Sequence, residues 1–226
     1  MTQPAILVTG ASSGIGLAIA QALLEAGHPV IGFSRSAPKG LGPQFTHMPV
    51  DLTDPLALEK ALSDLPALSG VVHAAGLLRV GPHDSFDHAD GARMWQLHVD
   101  TAARLIGALA PRLPDGGRIV LIGSRVARGA PGRALYAASK AALSGLTRSV
   151  AAELAPRSVT VNIVAPGATD TPMLRDPQRA SEAPKLPPIG RMVRPREVAA
   201  TVAFLLSPDA GAITGQEIVI CGGASL

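Results

Sequence analysis

The sequence predicts an α/β fold, a doubly wound seven-stranded parallel sheet with helices on both faces. Short apolar runs alternate with longer amphipathic segments from end to end. The runs are almost continuously apolar, as strands buried on both faces must be. A glycine-rich turn joins the first run to the first amphipathic segment. AILVT (5–9) is the first strand, and TGASSGIG (9–16) opens a helix over 14–26. PVIGF (29–33) and FTHMPV (45–50) follow as strands, then a helix over 55–64 and a strand at GVVHA (70–74). A long helix is expected over 89–112, then a strand at RIVLIG (118–123) and a helix over 135–155. VTVNIVA (159–165), a helix over 195–206 and EIVI (217–220) complete the set. Right-handed crossovers then give one doubly wound domain over 1–226, because no repeat or interdomain linker interrupts the pattern. Residues 172–194 carry five prolines and mixed charge, which suits either a lid or a loose loop.

Composition narrows the function classes. Hydrophobic residues make up 47% of the chain and charged residues only 16%, which a disordered segment could not show. The net charge is +3, and the sixteen arginines among the twenty basic residues are scattered, so no nucleic-acid partner is expected. A single cysteine, Cys221, excludes an internal disulfide. His83, His88 and His98 lack ligand-like spacing, and no metal is expected. The start MTQPAILVTG does not read as a signal peptide and no apolar run reaches membrane length, so a cytoplasmic protein without a membrane partner is expected.

The glycine-rich turn has the context of a dinucleotide cradle, between a strand and a helix. Gly10 permits the tight turn, Gly14 admits a pyrophosphate close to the backbone, and Gly16 allows close helix–strand packing. The free N–H groups of the helix start, around Ser12, Ser13 and Ile15, then face the phosphates. The second strand ends in Phe33-Ser34-Arg35. An acidic residue there would bind a ribose 2′-hydroxyl, whereas Arg35 can form a bidentate pair with a 2′-phosphate. NADP(H) is therefore favoured over NAD(H).

YAASK places Tyr136 and Lys140 four residues apart, on one face of a helix. A tyrosine of ordinary pKa near ~10 exchanges protons poorly at neutral pH. A nearby ammonium favours the phenolate and brings that pKa towards the working range. The spacing therefore fits an acid–base pair.

Six motifs in order then line up with one family. TGASSGIG, Asp51 in VDLTD, AAG at 74–76, Ser124 in LIGS, YAASK and VNIVAPGATDTPM (161–173) make the chain resemble the short-chain dehydrogenase/reductases over its full length. The resemblance implies a Rossmann domain performing hydride transfer. Ser124 would hydrogen-bond the substrate oxygen, Tyr136 would exchange a proton with it, and Lys140 would hold the nicotinamide ribose. Asp51 and Leu52 would meet the adenine, and Ala74, Ala75 and Gly76 would pass beneath the ribose. Pro166, Gly167, Thr169 and Thr171 would line the nicotinamide. It also implies homodimers or homotetramers paired through helices 89–112 and 135–155.

Two positions depart from that pattern. His73 stands in the usual Asn-Asn-Ala-Gly run, where it is expected as a satisfied buried residue. Asp100 in HVDTA is taken as the substitute for the family's helix asparagine, able to accept a hydrogen bond and, if close to Lys140, to stabilise its charge. These two admit a non-catalytic NADP(H)-binding redox sensor as an alternative. Met94, Trp95 and Leu97 read as core or interface packing. AAGLLRVGPHDSFD (74–87) and the ending GGASL are similar to the NAD-dependent 2,3-dihydro-2,3-dihydroxybenzoate dehydrogenases, which oxidise a carboxylated cyclic diol. Under that resemblance Arg79 would face a substrate carboxylate and Arg125 and Arg128 would make the pocket mouth positive, a solvated surface arginine being the other reading of each. The resulting expectation is alcohol–carbonyl chemistry on a small cyclic or acyl substrate that an anionic group would suit.

Overall fold

All seven strands lie in one parallel sheet, in the order β3-β2-β1-β4-β5-β6-β7, in a computed structural model that describes residues 3–175 and 185–226. The strands are β1 (Ala5–Thr9), β2 (Val30–Ser34), β3 (Phe45–Pro49), β4 (Leu68–His73), β5 (Arg118–Ile122), β6 (Thr160–Pro166) and β7 (Glu217–Ile220). The strand order reverses between β1 and β4, and open α/β sheets bind ligands in the crevice at that switch point.

Alternate residues of each buried strand serve two cores. Leu7, Ile119 and Leu121 face one side, while Ile6, Val8, Val120 and Ile122 face the other. The first side is covered by α2 (Pro55–Ser63), α4 (Thr101–Leu109) and α5 (Ala134–Leu154), and the second by α1 (Gly14–Glu25) and α6 (Pro195–Leu206). Residues such as Leu7, Ile19, Leu143 and Leu205 are fully buried, each contributing about 1.5–3 kcal/mol of apolar transfer. Two-sided burial is the reason these strands read as continuous apolar runs. Asp54 caps α2 by accepting from the N–H groups of Leu56 and Ala57, and Pro55 supplies the preset first turn.

The expected helix over 89–112 is not continuous. It divides into α3 (His88–Trp95), a wide π-helical turn over Gln96–Asp100 and α4, with a 3₁₀ turn over Ala110–Arg112. Thr101 N–H reaches back to Gln96 O, five residues away, which widens the turn. Within the expected lid, Pro172–Arg175 form a 3₁₀ turn and Val193 pairs with Thr169, while residues 176–184 lie outside the described residues. No helix among the described residues is long and apolar enough to cross a membrane.

Candidate active site

The carboxyl ends of β1, β2, β4, β5 and β6 open into one cavity of about 650 Å³. That volume lies within the range of small-molecule and cofactor sites. Every residue expected to meet a cofactor lines it, from Gly10 and Ser12 to Thr169 and Thr171, and Ser124, Tyr136 and Lys140 line the same space.

Close backbone packing shapes the phosphate end. A Cβ on Gly16 would lie 2.2 Å from Gly10 O, so no side chain fits where α1 meets the strand. Gly10 has φ +69°, and a Cβ there would lie 2.8 Å from the Ala75 Cα, so the turns after β1 and β4 touch. Thr9 Oγ1 binds them together by accepting from Ala74 N–H and Ala75 N–H. Ser13 at the start of α1 makes no side-chain cap, and the first turn holds no acidic residue. Ser12 to Gly16 line the cavity, and the free amides of a helix start there suit the phosphates of a dinucleotide. Asp51 Oδ1 accepts from Thr53 Oγ1 and Thr53 N–H, and these bonds hold its carboxyl below the usual range, with Arg35 adding a favourable charge. Ser34 and Arg35 also line the cavity, with no carboxylate at the end of β2. The donor set therefore fits a nicotinamide dinucleotide.

The other end carries the polar side chains. Ser124 is buried, and its Oγ accepts from Val126 N–H at 3.1 Å, which leaves its own proton to donate. Lys140 is 5% exposed and donates to Ile122 O at 2.8 Å. Burial pushes its pKa down to about 7.

Asp100 does not belong to this set, which corrects the expectation. Its carboxylate turns outward to Arg104 at 2.8 Å and does not line the cavity. The π turn instead brings His98 to the site. His98 is fully buried, and its ring stands edge-on to Tyr136 with centroids 5.6 Å apart. His98 Nε2 accepts from Leu77 N–H at 3.1 Å, so Nδ1–H donates to Ser139 Oγ at 2.9 Å. Ser139 in turn donates to Tyr136 O. Sequence spacing missed His98 because ligand spacing was the only signal sought, whereas its role is to hold backbone and ring.

His73 is the satisfied buried residue expected. Thr9 Oγ1–H donates to its Nδ1 at 2.8 Å, and its Nε2–H donates to Leu97 O at 3.0 Å. Burial first, then the Lys140 charge, lowers its pKa to about 3, and the same two causes lead in keeping His98 neutral. Leu97 also lines the cavity, beyond the packing role expected of it, while Met94 is core and Trp95 is half exposed. Arg79 does not face the cavity. It pairs with Asp90 at 3.7 Å and donates to Leu78 O, whereas Arg125 does line the cavity and Arg128 does not. No group of histidine, cysteine and acidic residues suited to a metal occurs among the described residues.

Comparison with known proteins agrees with this geometry. A family model described as enoyl-(acyl carrier protein) reductase matches residues 10–225. The 3-oxoacyl-(acyl-carrier-protein) reductase of Vibrio cholerae is 38% identical over 96% of this chain and 95% of its own length. The 2,3-dihydro-2,3-dihydroxybenzoate dehydrogenase of Escherichia coli is 37% identical over 98% and 96%. Among solved structures, a short-chain dehydrogenase/reductase from Serratia marcescens superposes with TM-score 0.84 at 35% identity, covering 100% of this chain and 99% of its own. A blue fluorescent protein from a metagenomic library, in complex with NADPH, superposes with TM-score 0.87 at 31% identity, covering 100% and 99%. With matches spanning nearly its whole length in sequence and in structure, this chain belongs to the short-chain dehydrogenase/reductase family of NAD(P)-linked oxidoreductases acting on CH–OH groups.

Proposed function

We propose that the protein interconverts an alcohol and a carbonyl on a small cyclic or acyl substrate, using NADP(H), with Tyr136 as the acid–base group. The observation that carries this reading is the convergence of Ser124, Tyr136 and Lys140 on the cavity whose other end is the glycine cradle. A bound nicotinamide would supply or accept the hydride. Ser124 donates a hydrogen bond to the substrate oxygen, because accepting from Val126 N–H leaves its hydroxyl proton uncommitted. Tyr136 gives that oxygen a proton in reduction and takes one in oxidation, and Lys140 contributes positive charge behind it. His73 and Asp100, the features that admitted a redox sensor, both lie outside the cavity lining. The protein is proposed to act in the cytoplasm as a homo-oligomer.

Preference for NADP(H) is supported by Arg35 at the end of β2. Arg35→Ala is expected to raise KM for NADPH about tenfold or more and to leave KM for NADH nearly unchanged, since a charge-assisted bidentate contact would be lost only with the phosphorylated cofactor. Initial rates with both cofactors check this, and equal effects would overturn the assignment. Similarity to the Escherichia coli diol dehydrogenase supports a second reading, NAD-dependent oxidation of a cyclic diol. Tighter fluorescence-detected binding of NADH than of NADPH would favour that reading.

His98 is proposed as a positioning residue for Tyr136. His98→Leu removes the acceptor of Leu77 N–H and the donor to Ser139, and is expected to cut kcat by about 10²-fold through misplacement of the phenol. His98→Asn keeps one donor and one acceptor and should recover part of that loss. Full activity in His98→Leu would remove the role.

A further inference from the structure

Six arginines among the described residues are half-buried: Arg79, Arg118, Arg125, Arg133, Arg157 and Arg191. Four of them are engaged. Arg79 pairs with Asp90, Arg118 donates to the carbonyls of Gly116 and Gly117, Arg157 pairs with Asp115, and Arg191 pairs with Glu197. Arg125 and Arg133 have no side-chain hydrogen bond or ion pair among the described residues, and both line the catalytic cavity. Their places in the chain bracket the polar end of the site. Arg125 follows Ser124 directly, and Arg133 precedes α5 three residues before Tyr136.

The surroundings do not neutralise them. Arg35, Arg125, Arg133, Lys140 and Lys185 line the cavity, against Asp51 as its one carboxylate among the described residues. Asp51 sits at the other end of the cavity, engaged by Thr53. A guanidinium stays charged at any accessible pH, and partial burial removes part of its hydration. A fold that supplies acceptors to its other half-buried arginines leaves two such forks empty beside the reacting groups. An incoming anion would fill them with charge-assisted, bidentate hydrogen bonds.

We propose that Arg125 and Arg133 form a subsite for an anionic group of the substrate, a carboxylate or a phosphate, and so determine specificity. This rests on the alcohol–carbonyl reading and narrows its substrate class to molecules with a negative group beyond the carbonyl. The subsite fixes which carbonyl reaches Tyr136, while Ser124, Tyr136 and Lys140 perform the chemistry on whatever is held there.

Three probes with NADPH test the subsite and separate the two anion sources: ethyl levulinate is neutral, levulinate adds a carboxylate, and acetoacetyl-CoA carries phosphates. In Arg125→Gln, Arg133→Gln and the double variant, the ratio of kcat/KM for a charged probe to that for the neutral ester is expected to fall. The expected fall is about tenfold for each arginine, the size of a lost charge-assisted contact. A fall with levulinate alone assigns a carboxylate, and a fall with acetoacetyl-CoA alone assigns a phosphate. An unchanged ratio with both charged probes overturns the subsite even where turnover is normal. Calorimetric titration of the same probes into the NADP⁺-saturated enzyme reads binding apart from turnover. If the wild type reduces none of them, the catalytic reading fails, yet loss of charged-probe binding in the variants still upholds the subsite. Absence of charged-probe binding by the wild type, or equal binding by wild type and variants, overturns it.

Discussion

Tyr136→Phe is expected to lower kcat by about 10²–10⁴-fold while leaving NADPH affinity within about twofold, because it removes the proton-transferring hydroxyl and keeps the ring. The ring persists, so the edge-on contact with His98 is kept, as is the Ser139 bond to the backbone carbonyl of residue 136. The cavity wall and the glycine cradle are untouched, and the cofactor has no reason to leave. Absorbance at 340 nm measures turnover, and cofactor fluorescence measures binding. Activity retained to within tenfold would take the proton-transfer role away from Tyr136. Joint loss of activity and cofactor binding would instead show that the hydroxyl holds the site together.

Lys140→Met is expected to abolish most turnover and at the same time to stabilise the cofactor-free protein at about pH 6 by roughly 1–3 kcal/mol. Lys140 is buried and its pKa falls to about 7 from an ordinary 10.5. Below about pH 7 both folded and unfolded chains hold the proton, and the folded chain bears the full cost of a buried ammonium. Between about pH 7 and 10.5 the unfolded chain keeps a proton that the folded one has released, so stability rises with pH across that window. Methionine fills similar space without the charge, and the slope should flatten. Part of the gain is offset because Ile122 O loses its donor, at a cost of about 1–3 kcal/mol. The depressed pKa values of His73 and His98 act in the same direction but in more acidic solution, below their ordinary value of 6.5. Urea unfolding at about pH 6 and pH 9 distinguishes the cases. Parallel pH slopes in wild type and variant would show that burial does not penalise the Lys140 charge. A stabilised, inactive variant would mean that the protein gives up stability to keep a cation behind Tyr136.

The strands were legible because each of β1, β5 and β6 is buried on both faces, so its composition records its position directly. Even β3, at the sheet edge and only half buried, kept enough apolar residues to be read. The helix over 89–112 was not legible as a broken one. Neither glycine nor proline marks residues 96–100, and the π turn goes with contacts from distant sequence. His73 reaches Leu97 O across 24 residues, and Ser139 meets His98 across 41. The same cause exchanged Asp100 for His98, since the face a helical residue presents depends on how the helix is rotated in its packing. Arg79, for which a surface arginine was the alternative reading, lies outside the cavity lining and pairs with Asp90 of α3.

By itself the sequence determined the strand and helix pattern, the glycine cradle and the Ser124, Tyr136 and Lys140 set. The element pattern, the cradle and the Tyr136–Lys140 spacing are local patterns that the chain carries wherever it lies, and Ser124 is what the family resemblance implies. Tertiary structure alone decided that His98 rather than Asp100 stands beside Tyr136, and that Arg125 and Arg133 line the cavity without side-chain partners among the described residues. Those outcomes depend on which polar groups meet across tens of residues, and a partner taken or left empty exists only once the chain has folded.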